Sequence, residues 1–237
     1  MLILLRYNLN STFDVAVGSE LYTLHTTVFT ERSAFFRAAR KSEWLAGDLK
    51  KPVDLKDEDP EVFNTYTNCV YFGAEALKCY SDGIEFCSHS ERGTKSTGVF
   101  NALIRVYLLA DKLQDPSAAN MVIDEIIRFS DVADVVPDSH FWDVYSRTPR
   151  NSPLRILMRD YWMYEMNAMD ANPLGGVPKE LMEDILLEFL RIKSSEDSAT
   201  IADTFKRKLS EDTVKDKCRY HQHDDKHPRC VPEPNLD

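Results

Sequence analysis

Glycine is scarce in this chain, with 8 in 237 residues, and the few present are scattered. No G-x-x-x-x-G-K-[ST] loop, G-x-G-x-x-G turn, G-x-S-x-G elbow or H-E-x-x-H pair occurs. That removes the common signatures of nucleotide binding, serine hydrolysis and zinc proteolysis. A long apolar run is also missing. Leu2-Ile3-Leu4-Leu5 is stopped by Arg6, far short of the roughly 20 apolar residues that span a bilayer. It lacks the basic region, the apolar stretch of about 7–15 residues and the cleavage site of a secretory signal. Nor is there an excess of basic charge: 29 Lys+Arg face 39 Asp+Glu, a formal net charge of −10. An acidic chain of this kind excludes nucleic-acid backbones and anionic membrane surfaces as partners. There is no C-x-x-C, and the cysteines number five, an odd count in a chain without a signal. Reduced thiols and an intracellular setting, cytoplasmic or nuclear, are expected. The sequon Asn10-Ser11-Thr12 then reads as chance.

What is present is an ordinary globular composition, 43 % hydrophobic and 29 % charged. At roughly 100–200 residues per domain, the length suits one domain with an extension, or two small domains. Phe13-Asp14-Val15-Ala16-Val17 alternates, meets Gly18-Ser19, and is followed by Leu21-Tyr22-Thr23-Leu24, the pattern of a β-hairpin. Ser33 can cap a helix carrying Phe35 and Phe36. Val53-Asp54-Leu55 follows Pro52 and predicts a third strand near a sheet edge. Asp59-Pro60 opens a helix with Val62, Phe63, Tyr66 and Val70 on one face, and Gly73 sits where it would end. Residues 78–98 turn polar and predict a mobile loop.

Helical patterns then take over. Residues 100–113 are apolar nearly all round, which predicts a buried helix. Asp115-Pro116 opens the next helix. Pro137 and Pro153 start two more, the second turning Leu154, Leu157, Met158, Tyr161 and Trp162 inward. Leu181, Met182, Ile185, Leu186, Phe189 and Leu190 form the strongest amphipathic stripe, and a weaker helix is expected over residues 199–209. A few strands and short helices followed by helices alone predict an α+β fold with an all-α extension.

Few residues carry chemistry. Cys69 and His25 lie in apolar-patterned elements and read as a buried thiol and a structural histidine rather than a nucleophilic dyad. Asp57, Glu58, Asp59 and Glu61 gather at a helix start, where the dipole favours them. One cluster stands apart. Three of the six histidines and two of the five cysteines lie at Cys218, His221, His223, His227 and Cys230, spaced C-x2-H-x-H-x3-H-x2-C. Ligand type suits zinc, while the spacing is that of no standard finger. Residues 206–237 otherwise mix charges with almost no apolar side chains, the composition of a disordered tail.

Residues 13–73 resemble a BTB/POZ domain of the type common in fungi. The resemblance is carried by Phe13-Asp14-Val15-x-Val17-Gly18, Tyr22-x-Leu24-His25-x-x-Val28-Phe29 and Arg32-Ser33-x-Phe35-Phe36-Arg37-Ala38. It continues through Trp44, Val53-x-Leu55, Asp59-Pro60-Glu61-Val62-Phe63 and Val70-Tyr71-Phe72-Gly73. Residues 109–115, Leu-Ala-Asp-Lys-Leu-Gln-Asp, are similar to the buried helix that follows the long loop in that family. Ala34, Thr26 and Phe72 depart from its usual residues.

The resemblance implies a BTB/POZ fold, a small sheet flanked by helices, over residues 13–130. Ahead of it, residues 1–12 include a segment, Leu2 to Tyr7, that could pair across a dimer. Behind it come a helical extension over 137–209 and a polar Cys/His-rich tail over 210–237. The expected function is non-enzymatic: a homodimeric protein-interaction module without cofactor, presenting protein partners on the helical extension. The resemblance also gives His25 a structural place closing the hairpin onto the first helix, and Asp14 a place in a charged groove at the dimer interface. One alternative is a substrate adaptor for a cullin ubiquitin ligase, although no glutamate stands two positions after Val62, Phe63 or Tyr66. Another is a regulatory protein that binds zinc through the tail.

Overall fold

A computed structural model describes residues 9–41, 51–80, 89–164, 177–194, 217–223 and 230. It is α+β. The elements run β1 (Thr12–Val17), β2 (Glu20–His25), α1 (Thr26–Arg32), α2 (Ala34–Ala39), β3 (Val53–Leu55), α3 (Pro60–Phe72) and α4 (Glu75–Lys78). They continue with α5 (His89–Lys112), α6 (Pro116–Ala133), a 3-10 turn at Asp138–His140, α7 (Phe141–Arg147), α8 (Pro153–Tyr164), α9 (Lys179–Ser194) and a 3-10 turn at Lys217–Tyr220. The chain divides into two compact units: residues 1–82 with 102–125, and residues 83–101 with 126–237. Among the described residues, no helix is long and apolar enough to cross a membrane.

The first unit is built on the hairpin. β1 and β2 pair antiparallel, with Val15 opposite Tyr22 and Val17 opposite Glu20. Gly18 makes the turn at φ 53°, and a Cβ there would meet Pro60 Cγ at 3.0 Å. Both facts demand glycine. β3 pairs parallel to β1, Val15 with Val53 and Val17 with Leu55, so the sheet order is β2-β1-β3 and Pro52 leads into an edge strand. The alternation of β1 sends Phe13, Val15 and Val17 into the core. There Phe13 meets Phe36 tilted at 5.5 Å, and Phe29 meets Phe36 edge-on at 5.9 Å, as Tyr22 meets Phe63 at 4.9 Å.

The helix ends follow their sequence signals. Ser33 Oγ accepts the Phe36 N–H at the start of α2 and donates to the Leu113 carbonyl. Asp59 caps α3 by accepting the Glu61 N–H at 2.8 Å, with Pro60 in the first turn. Gly73 ends α3 at φ 72°.

A buried carboxylate organises the middle of this unit. Asp115, 1 % exposed, caps α6 through the Ala118 N–H at 2.9 Å. It also accepts from Arg32 Nε at 3.2 Å and from the Tyr66 hydroxyl at 3.1 Å. Burial first, and then the Asp115 charge, pushes the Tyr66 phenol well above its ordinary pKa, so it stays a donor.

In the second unit, Phe100 meets Phe129 edge-on at 5.1 Å, and Phe141, Val144, Leu154, Leu157, Met158, Tyr161 and Leu181 are buried. Arg155 is buried and donates to Thr148 Oγ1 at 3.1 Å and to the Tyr145 carbonyl, and lies over the Tyr145 ring at 4.5 Å.

Two local readings of the pattern differ from the structure. α5 begins at His89, inside the polar stretch 78–98 that composition assigned to a loop. Its polar first turns carry on a helix whose later turns bury Phe100, Leu103, Ile104, Val106 and Tyr107. In α9 the buried residues are Leu181, Glu188 and Ile192, whereas Leu186, Phe189 and Leu190 of the apolar stripe are exposed. Glu188 is buried on the same side as Leu181 and Ile192 and is paired there with Arg159 and Arg191. Residues 2–7, Trp44 and the helix expected over 199–209 lie outside the described residues.

Asp115→Ala removes the α6 cap, the partner of Arg32 and the acceptor of Tyr66 together. A loss of about 3–5 kcal/mol is expected in urea denaturation, the cost of stripping one partner from a buried pair. A loss below about 1 kcal/mol, the ordinary effect of a point change, would contradict the hub.

Candidate functional site

The Cys/His cluster sits on a docked turn. Lys217–Tyr220 forms a 3-10 turn inside the stretch whose composition suggested disorder, and the Tyr220 side chain is 1 % exposed. Its hydroxyl donates to Asp160 Oδ2 on α8 at 2.7 Å. The neighbouring Arg219 gives Nε to the same oxygen at 2.9 Å, and Arg159 gives Nε to Asp160 Oδ1 at 2.8 Å. Asp160 is fully buried, and its accepting oxygens are turned on this turn and on its own helix.

Glu188 of α9 extends the same network. Arg191 reaches it through Nε at 3.0 Å and a terminal nitrogen at 2.6 Å, Arg159 at 3.4 Å and Arg219 at 3.7 Å. The hydrogen bond from Arg191, aided by the charges of Arg159 and Arg219 and opposed by burial, holds the Glu188 carboxyl below the usual glutamate range. α8, α9 and the 217–220 turn therefore meet on two carboxylates shared by three arginines.

On that turn, ligand atoms of Cys218, His223 and Cys230 all lie within 4.8 Å of one another. Cys230 N–H donates to Cys218 Sγ at 3.2 Å, and His221 Nδ1 lies 3.1 Å from Cys230 Sγ. The His221 and His223 rings are 6.0 Å apart. Four of the five residues singled out from the sequence thus converge, and His227 lies outside the described residues. Two thiols and one imidazole at this separation, with the His221 imidazole beside Cys230, offer donors for a soft or borderline divalent ion.

The other sequence candidates resolve differently. Cys69 is buried, and burial pushes its thiol up to about 12, away from nucleophilic character. His25 instead places Nδ1 2.8 Å from the Tyr71 hydroxyl, tying the end of β2 to α3. Asp14 accepts the Thr23 hydroxyl across the hairpin at 2.7 Å. Glu58 pairs with Lys112, and Asp59 with Arg105 at 2.7 Å, so these carboxylates serve the first unit's helices.

The chain matches no family model, no curated protein and no solved structure. Site geometry has to speak for itself. One further cleft, about 210 Å³, is lined by Arg150, Arg155, Arg159, Arg191, Asp184 and Glu188. Its guanidinium groups are already engaged: Arg150 by Glu183, Arg155 by Thr148 and Tyr145, and Arg159 and Arg191 by Glu188.

Sequence reasoning missed Asp160 and Glu188. Nothing local marks them, since Asp160 meets partners 59 and 60 residues away. The available signal was Arg219-Tyr220 lying between ligand-type residues, a polar anchor pair in a stretch otherwise without apolar weight.

Tyr220→Phe should loosen the turn by about 1.5–3 kcal/mol, because one hydrogen bond to a charged, buried acceptor is lost. Hydrogen exchange at residues 218–223 measures it, and unchanged exchange would rule out the anchor. The lowered Glu188 carboxyl also sets a pH dependence. Its stabilisation is complete above the unfolded glutamate value, about 4.3, and is lost as pH falls through the depressed folded value. Urea midpoints should fall on acidification more in the wild type than in Glu188→Gln; equal falls would contradict the pairing.

Proposed function

We propose that this chain is a non-enzymatic protein-interaction module. Its first unit is of BTB/POZ type and pairs with a second copy, and its helical unit presents a face to protein partners. The observation that carries this reading is the outer side of α9, where Leu186, Leu187 and Leu190 are 58 %, 59 % and 51 % exposed and Phe189 41 %. Apolar side chains gathered on one helix and left in water mark interaction sites. A helix held by charge on one side and apolar on the other is suited to receiving a partner.

The first unit supports the family reading through its core. Phe13, Val15, Val17, Leu24, Val28, Phe29, Phe36, Leu55, Val62, Phe63 and Val70, which carry the resemblance, are all buried there. His25 ends β2 ahead of α1 and is hydrogen-bonded with Tyr71 of α3. Leu21 on β2 and Phe72 at the end of α3 remain 63 % and 67 % exposed. Nothing on α3 favours the cullin-adaptor alternative: Val62, Phe63 and Tyr66 are buried, and Asn64, Thr65 and Asn68 stand two positions after them.

Light scattering on the eluting full chain tests the pairing. Twice the chain mass of 27.3 kDa is expected, and a mass of one chain would refute it. The α9 face has its own test. Leu187→Lys with Leu190→Lys should change stability by no more than about 0.5 kcal/mol, as substitutions at exposed positions do. Destabilisation by several times that amount would mean that the face is core.

A further inference from the structure

We infer that Cys218, His221, His223 and Cys230 bind one zinc ion, which fastens the carboxy-terminal segment into the helical unit. The inference stands apart from the interaction reading and survives its failure. Three observations converge on it. The ligand atoms of Cys218, His223 and Cys230 are mutually within 4.8 Å. With Zn–S near 2.3 Å and Zn–N near 2.0–2.1 Å, tetrahedral ligands stand about 3.5–3.8 Å apart, so no pair among these three has to close by more than about 1.3 Å. His221 supplies the fourth position, its Nδ1 already 3.1 Å from Cys230 Sγ.

The second observation is preorganisation. The turn that carries Cys218 and His221 is fixed before any metal arrives, because Tyr220 and Arg219 between them are held by Asp160. The His221 N–H donates back to the Cys218 carbonyl at 3.3 Å and closes the turn. Cys230 is then returned to Cys218 by its own backbone N–H, bonded to Cys218 Sγ at 3.2 Å.

The third is chemistry. Two sulfurs and two imidazole nitrogens form the S2N2 set that tetrahedral zinc takes in closed, structural sites. A disulfide between Cys218 and Cys230 would need no imidazoles, yet two converge here. On binding, each cysteine gives up its thiol proton, so the complex carries zinc in place of two protons. Apolar weight is nearly absent after residue 209, and a metal supplies the cohesion that composition does not.

Native mass spectrometry of the full chain under reducing conditions, titrated with zinc alone, tests this. One zinc per chain is expected at equimolar metal, with the mass rising by zinc less two protons. Cys218→Ser with Cys230→Ser should weaken binding by at least about tenfold, and His221→Ala should also weaken it, while Cys79→Ser, an exposed cysteine elsewhere, leaves it intact. Circular dichroism checks that the variants keep the helical signal of the wild type. Cobalt in place of zinc should give the intense visible bands of a tetrahedral thiolate site. No stoichiometric zinc, or equal binding by the double cysteine variant, would overturn the site. So would a non-reduced chain lighter by two hydrogens that takes up no zinc after reduction. Loss of binding in His227→Ala but not in His221→Ala would overturn the fourth ligand.

Discussion

The helical unit depends on one carboxylate. Asp160 is fully buried and lies on α8, a helix otherwise turned inward through Leu154, Leu157, Met158 and Tyr161. A buried charge is tolerated only where its lone pairs are taken up. Those of Asp160 are taken by Arg159 on its own helix and by Arg219 and Tyr220 from far along the chain. Leaving them unmet would cost several kcal/mol. That cost brings the carboxy-terminal turn to this place, and the Cys/His cluster follows because its residues flank the anchor.

The first unit uses the same device. Asp115 collects Arg32 and Tyr66 as Asp160 collects Arg219 and Tyr220. In both, an aspartate, one capping a helix and one within a helix, is met by an arginine and a tyrosine from distant parts of the chain. Apolar side chains of equal volume would stabilise either site about as well. What a carboxylate adds is direction, since only a donor at the right angle satisfies it. In α9 that directional demand wins over burial of apolar surface: Glu188 faces inward to Arg159, Arg191 and Arg219, while Leu186 and Leu190 face water.

Local chemistry was legible in the sequence and distant pairing was not. Gly18-Ser19 set the hairpin turn, Ser33 and Asp59 capped their helices, Pro52 preceded an edge strand and Gly73 ended α3. Each of these is decided within a few residues. The polar start of α5 misread as loop because its stability comes from the buried turns downstream. The stripe of α9 was found, but its exposure was not legible, because two of the three arginines that meet Glu188 come from α8 and from residue 219. For the site, ligand types gave Cys218, His221, His223 and Cys230. The anchor that assembles them, Asp160, is an unremarkable aspartate in an amphipathic helix until the fold brings Tyr220 to it.

That docked turn is the central claim, and trypsin reads it directly. Cleavage after Lys217 and after Arg219 should be timed by mass spectrometry on the full chain with a chelator present, so that no metal contributes. If Asp160 holds the turn, both bonds are cut far more slowly than in the same chain unfolded in urea at matched protease activity, and Asp160→Asn restores fast cutting. Cleavage of the wild type at the unfolded rate would contradict the account.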